Sequence, residues 1–393
     1  MTKLTTDKRD VAIRPVRTAF GATTTTISSV LPVFMIGGLA VQLADELGFS
    51  PTGLGLAVSV YFATSALTSV PAGRLVERLG PRLAAQAAIL LSAGSLLAIA
   101  LLARSFALLT VFLAVGATAN ALGQLASNAA LARQVPPSRQ GLSFGVKQAA
   151  IPLSTLLAGA AVPTIALTVG WRWAFAAAAT VAFATLAAVP HTPGGRPRAD
   201  RSEGRTSAAL LAVGLAAALA SGSANGLGTF LVDSAVARGI SPGLAGLTLT
   251  LGSVVCLFGR VFFGWLGDLR RTGHLATVAG MLLVGALGLV LLANPSPAGL
   301  LIGVVLSFGL GWAWPGVMNF AVVQMYPQAP AAATSITQTG VYLGGALGPL
   351  TLGAIAGHTS YPTMWYVAAT AMLLAAALMV IGGHRLRAAA AAR

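Results

Sequence analysis

Charge is scarce in this sequence. Of 393 residues only 8% are Asp, Glu, Lys or Arg, and acidic groups number 9 against 24 basic ones. A water-soluble globular protein is about 25% charged because its surface must be solvated. This chain therefore cannot present a water-facing surface all round. The single cysteine, Cys256, excludes an internal disulfide framework and a cysteine-based zinc site. The four histidines (His191, His274, His358 and His384) lie near the ends of apolar stretches, and no H-E-x-x-H spacing occurs. Neither a metal nor a cofactor is expected. No Walker A loop and no G-x-S-x-G in context are present, so neither ATP drive nor enzymatic catalysis is expected.

What the chain has is apolar length. It is 56% hydrophobic, with a mean hydropathy of +0.83. Its apolar segments run to twenty residues or more, the length of a membrane-spanning helix; barrel strands are about ten residues of alternating character. Charge-free windows mark spans at 18–44, 47–73, 83–103 and 105–132. A fifth starts near Gly141, carries Lys147 and ends before Trp171, and a sixth runs to Pro190. The seventh is 206–232, and the eighth starts near Gly243, carries Arg260 and ends near Leu266. From Thr272 to His384 there is no charged residue. Asn294-Pro295-Ser296-Pro297, Tyr326-Pro327-Gln328-Ala329-Pro330 and His358-Thr359-Ser360-Tyr361-Pro362 divide that stretch as turns. The sum is an all-α integral membrane chain of twelve spans in a lipid bilayer.

The formal net charge of +15 suggests nucleic acid, but position argues otherwise. Basic residues sit in alternate gaps between spans, which is the pattern of membrane topology. With the N-terminus in the cytoplasm, only Arg104, Arg172 and Arg238 fall in the opposite gaps, and Lys147 and Arg260 fall inside spans. Both termini are then cytoplasmic. The first apolar run exceeds a signal-peptide core, so it is read as a retained first helix. The richness in Ala, Gly and Arg fits a bacterial plasma (inner) membrane.

The halves repeat. At a shift of 191, Ser50-Pro51 falls on Ser241-Pro242, Gly73 on Gly264, Glu77 on Asp268, Asn128 on Asn319 and Pro136 on Pro327; one residue closer, Gln148 falls on Gln338. Two parallel six-helix pseudo-repeats follow, the plan of one transporter class. The division reads as an N-terminal half at 1–190, a Pro-, Gly- and Arg-rich cytoplasmic linker at 191–206, a C-terminal half at 207–384 and a tail at 385–393.

The stretch Gly73-Arg74-Leu75-Val76-Glu77-Arg78-Leu79-Gly80-Pro81-Arg82 is similar to the G-x-L-x-D-R-x-G-R-R signature of the major facilitator superfamily. Glu replaces the usual Asp, and Pro81 takes a basic position. A looser copy, Gly264-Trp265-Leu266-Gly267-Asp268-Leu269-Arg270-Arg271, follows the eighth span. The resemblance covers essentially the whole chain. It implies the major facilitator fold and a conformational latch of Gly73, Arg74, Glu77, Arg78, Gly80, Arg82, Gly264, Asp268, Arg270 and Arg271. The glycines would let helices approach, and the acids would face a helix N-terminus or an arginine.

A cation inside the membrane costs at least a few kcal/mol and so marks a functional position. Arg260 lies eight residues before Asp268, about 12 Å of helix and near the midplane of a core about 30 Å thick. Lys147 lies at matched depth in the other half, and neither has a carboxylate nearby in sequence. A bound anion would offset both, and arginine suits a carboxylate because its fork donates two parallel hydrogen bonds. Gly259-Arg260-x-x-x-Gly264-x-x-x-Asp268 also resembles the eighth helix of monocarboxylate and oxalate carriers, in which the arginine meets substrate carboxylate. The bland alternatives are backbone-carbonyl partners for Arg260 and a neutral or snorkelling Lys147. Asn128, Asn319, Gln148 and Gln338 could hydrogen-bond substrate or join helices, and Trp312, beside Trp314, could wall an apolar substrate part or simply pack.

The resulting expectation is a monomeric carrier of a small organic anion, a monocarboxylate by preference, working by alternating access. Efflux of a hydrophobic compound is the rival within transport, and a non-transporting receptor of the same fold is the rival outside it.

Overall fold

The computed structural model describes residues 3–49, 51–190, 208–270 and 272–391. The expected linker at 191–206 and the latch residue Arg271 lie outside the described residues.

Twelve helices among the described residues are long and apolar enough to cross a membrane. Their spanning parts are α1 Pro15–Gly38, α2 Gly53–Leu79, α3 Pro81–Leu102, α4 Phe106–Gln134, α5 Pro137–Val169, α6 Trp171–Ala188, α7 Ala208–Val236, α8 Leu244–Leu269, α9 His274–Ala293, α10 Pro297–Met325, α11 Pro330–His358 and α12 Tyr361–Ala388. A short helix, Ala40–Leu47, joins α1 to α2. The last helix continues to Ala391. No strand occurs among the described residues.

Proline sets several starts. Pro81, Pro137, Pro297 and Pro330 each open a helix, where the missing N–H costs nothing. The signature stretch departs from expectation. Gly73 to Leu79 is not a loop but the last two turns of α2. The break comes at Gly80, whose φ of 83° is open to glycine at little cost, and Pro81 then starts α3. The latch residues are therefore held on rigid helix ends.

Within the first half α4 packs on α1, α2 and α3; within the second, α7 and α9 both pack on α12, and α7 on α11. The halves meet along two seams, α2 against α11 and α5 against α8. These seams are copies of one another under the sequence repeat. Lipid supplies no hydrophobic drive between helices, so close backbone approach must hold them. Glycine permits it: a Cβ on Gly264 would lie 2.6 Å from the Gly141 carbonyl oxygen, and one on Gly145 would strike the Arg260 carbonyl. The run Gly340, Gly344 and Gly348 has a different task. It presses α11 onto Gly214, Ala218 and Gly222 of α7, inside one half. Close packing is what this run provides here.

Helix α10 is broken in its middle. A π-turn at Ser307–Gly311 runs into the turn Trp312-Ala313-Trp314, and Pro315 restarts the helix. Proline has no N–H to give back to the preceding turn, so carbonyls near the break need other partners.

Candidate functional site

A cavity of about 460 Å³ lies between the halves. Its wall takes residues from α1, α2, α4, α5, α7, α8, α10 and α11. It runs from mid-helix toward Gly37 and Gly38 at the end of α1, Gly159 in α5 and Thr229 in α7. That is the end of the bundle where odd-numbered helices finish. The opposite end carries the signature residues and is shut.

Arg260 reaches the cavity wall from α8 and is buried. One terminal nitrogen donates to the Gln148 carbonyl at 2.6 Å, and the other donates to the Trp312 carbonyl at 3.1 Å. The second acceptor is a carbonyl released by the break in α10. These are the backbone partners anticipated as the bland alternative. They fix the guanidinium in place and leave its charge uncompensated. Its Nε has no hydrogen-bond partner among the described residues. The only ion pairs among the described residues are Glu77–Arg133 and Glu46–Arg172, neither of which involves Arg260.

Of the residues proposed from sequence, Arg260, Gln148, Gln338 and Trp312 line the cavity. Lys147, Asn128 and Asn319 do not: they are fully buried behind its wall. Lys147 Nζ donates to Gln124 Oε1 and to Asn128 Oδ1, the latter at 3.0 Å. The side-chain oxygen of Gln148, the side-chain oxygen of Gln338 and Trp314 Nε1 face this region without partners among the described residues. Asn319 has neither amide atom bonded among the described residues. The threonines Thr23 to Thr26 return their hydroxyls to their own helix backbone, at 2.7 to 3.1 Å, and do not reach the cavity.

Sequence reasoning missed Asn120 and Gln124 of α4, Asn225 of α7, and Tyr61 and Tyr342 on the wall. A signal existed for α4. Asn120, Gln124 and Asn128 recur every four residues, so they share one face of an otherwise apolar helix.

At the closed end the two acids do matching work. Glu77 Oε1 accepts the Ala331 N–H at 2.7 Å in the first turn of α11, and its Oε2 pairs with Arg133 of α4. Asp268 accepts the N–H of Gly141 at 2.6 Å and of Leu142 at 2.9 Å, near the start of α5. Carboxylates there also meet the positive end of the helix dipole. Gly73 lets α2 approach, since a Cβ would lie 2.8 Å from that of Ser335. The expected charge network is narrower than drawn from sequence. Arg74, Arg78 and Arg270 are exposed and Arg82 is half-buried, and none of the four makes an ion pair among the described residues. The cation that meets Glu77 comes from α4 instead, because the helical continuation of α2 turns Arg74 and Arg78 outward.

At the other end Glu46 ties the short helix to α6. It accepts from Trp171 Nε1 and from Arg172, both at 2.7 Å. The Arg172 guanidinium holds this carboxyl below its ordinary value against the opposing effect of burial, and the Trp171 hydrogen bond adds to the lowering.

Twelve spanning helices in two repeated halves, closed at one end around a central cavity, define a membrane transporter. The Major Facilitator Superfamily model matches residues 19–213 and 211–390, and the chain belongs to that family. Solved structures agree on the fold. The chain is similar to the human organic anion transporter MFSD10 (TETRAN), with 18% identity, a TM-score of 0.75, and 93% of this chain and 99% of that one covered. It is also similar to the proton:xylose symporter XylE bound to 6-bromo-6-deoxy-D-glucose, with 16% identity, a TM-score of 0.76, and 94% and 96% covered. The transporter FucP in its outward conformation matches with 16% identity, a TM-score of 0.70, and 92% and 98% covered. The protein is a transporter of this superfamily and not an enzyme.

Proposed function

We propose that this transporter carries a small organic anion, a monocarboxylate with an apolar body, across the plasma membrane by alternating access. The observation that carries this reading is Arg260: a buried guanidinium on the cavity wall, held by two carbonyls, with Nε free and no acid paired to it among the described residues. A carboxylate docked there would supply the missing negative charge and an acceptor for Nε. Phe34, Phe62, Trp312 and Trp314 would take the apolar part, in a volume within the usual range for small-molecule sites.

The basic end is the cytoplasmic side in this reading, as the positive-inside pattern requires, and both termini lie there. The form described is then outward-facing, latched inside by Glu77 and Asp268. The halves at 1–190 and 207–384 rock against each other about the midplane when those contacts part.

Uptake into proteoliposomes tests the reading. A panel of monocarboxylates, dicarboxylates, and neutral and cationic compounds is offered to the native protein and to Arg260→Gln. Anion flux that disappears in the variant is the expected result. Anion flux untouched by the substitution, or flux of neutral and cationic compounds alone, would overturn it. That second outcome favours efflux of a hydrophobic compound, which the largely apolar wall would accommodate.

A further inference from the structure

The mechanism above makes no use of Lys147, the second cation inside a span. It is fully buried in the middle of α5. Its hydrogen-bond partners among the described residues are two neutral amides of α4, Gln124 and Asn128, one helical turn apart. Arg260 stands nearby, since it donates to the carbonyl of Gln148, the next residue in the chain. Neutral amides orient an ammonium without cancelling its charge, and a desolvated cation in a span costs several kcal/mol.

On α5 itself the other charged residue is Arg139, at the basic end. Of the helices packed on α5, α1 offers only Arg17 at the basic end, and α4 offers only Arg133, also at that end. Helix α6 offers Arg172 at the far end, and α10 offers none. Helix α8 offers Arg260, Cys256 and, two turns further on, Asp268, which is already bonded to Gly141 and Leu142. No acid therefore faces Lys147 at its own depth among the described residues. Of the adjacent cations, a guanidinium does not give up its proton in a protein, whereas an amine does.

We propose that Lys147 is the proton-coupling residue of this carrier: it sheds its proton when the cavity is empty and regains one when an anion docks on Arg260, so that anion and proton cross together. The proposal rests on the anion reading of the cavity. The anion adds one negative charge beside two positive ones, which favours the charged amine. By linkage, the charged amine favours the anion to the same degree. In the releasing step one N–H bond of the ammonium breaks, its electron pair stays on Nζ, and the proton passes to water in the cavity. Gln124 marks the route, since it accepts from Lys147 on one side and lines the cavity on the other. No carboxylate or histidine relay is needed, and none is present at this depth among the described residues.

The test separates proton uptake from anion binding. Purified protein in weakly buffered detergent solution is titrated with acetate, L-lactate, pyruvate and benzoate. Tryptophan fluorescence reports binding through Trp312 and Trp314, and a pH-indicator dye reports proton uptake. The native chain should take up close to one proton per anion bound. Lys147→Arg, which stays charged, should bind the same anion with at most about tenfold weaker affinity and take up none. Lys147→Gln, neutral throughout, is the second variant and should likewise take up none. In proteoliposomes, an inward proton gradient of one pH unit should drive about tenfold accumulation by the native chain and no accumulation by Lys147→Arg. Binding without proton uptake by the native chain, or uptake that persists in either variant, overturns the proposal and leaves the anion reading standing. No binding of any of the four anions by the native chain removes the anion reading, and this proposal with it.

Discussion

Glu77 and Ala331 lie 254 positions apart in the chain, yet the carboxylate of the first accepts the backbone N–H of the second at 2.7 Å. The repeat builds the same joint again between Asp268 and Gly141, at 2.6 Å. Each joint runs from the end of an α2-type helix in one half to the start of an α5-type helix in the other. Both carboxylate joints lie at the basic end.

Removing a pin should tilt the conformational balance. Hydrogen bonds to charged groups contribute about 1.5–3 kcal/mol. Asp268→Asn should therefore shift the population toward the form open at the basic end by roughly ten- to a hundredfold. Glu77→Gln loses the Arg133 partner as well and should shift it at least as far. Distance distributions between spin labels placed across each end would read the shift, and unchanged distributions would show that the joints do not latch.

A second prediction concerns the seam itself. A side chain at Gly145 or Gly264 would collide with backbone that cannot move aside, the carbonyls of Arg260 and Gly141. Gly145→Val and Gly264→Val should fold, because the clash lies between halves, but should be unable to close the basic end. Transport should fall by at least about tenfold, with labelling of cysteines introduced at that end becoming faster. Normal transport in both variants would contradict the contact.

The aromatic wall should sort substrates by size. Burial of a large ring contributes about 1.5–3 kcal/mol. Trp314→Ala should therefore weaken benzoate by roughly tenfold or more while changing acetate little. Competition against a radiolabelled anion would measure the ratio, and equal losses for both acids would remove Trp314 from the site.

The far end gives a pH test. Arg172 holds the Glu46 carboxyl below its ordinary value, so ionised Glu46 favours the folded state. That contribution is fully present above the unfolded value, about 4.3, and is lost as pH falls through the lower folded value. The pair is half-exposed, so screening keeps it below about 1 kcal/mol. Glu46→Gln should melt slightly lower than the native protein at pH 7, and the two melting curves should converge near pH 3. A gap that widens on acidification would reverse the sign.

The number of spans was legible because lipid leaves a long apolar run and a charged gap as the only two options for each stretch. Depth was legible too: Arg260 and Lys147 sit at mid-bundle, as counting residues from the basic end requires. Rotation about the helix axis was not. In a soluble helix the polar face reveals which side is buried, but here the lipid-facing and core-facing sides are both apolar. Lys147, Asn128 and Asn319 could therefore be placed at the correct height and still turn away from the cavity. Gln124 was overlooked although it is one turn from Asn128. The helical run through Gly73 to Leu79 was hidden because its charges resemble those of a loop.

The contact of Gly340, Gly344 and Gly348 with Gly214, Ala218 and Gly222 has a mechanical consequence. Two rods spliced backbone to backbone over more than two turns bend and shear far less than two rods separated by side chains. Helix α7 carries cavity wall at Asn225 and Thr229, and α11 carries the closed-end joint at Ala331. Displacement at one end of this splint cannot be absorbed by local give between the two helices. It must appear at the other end as leverage.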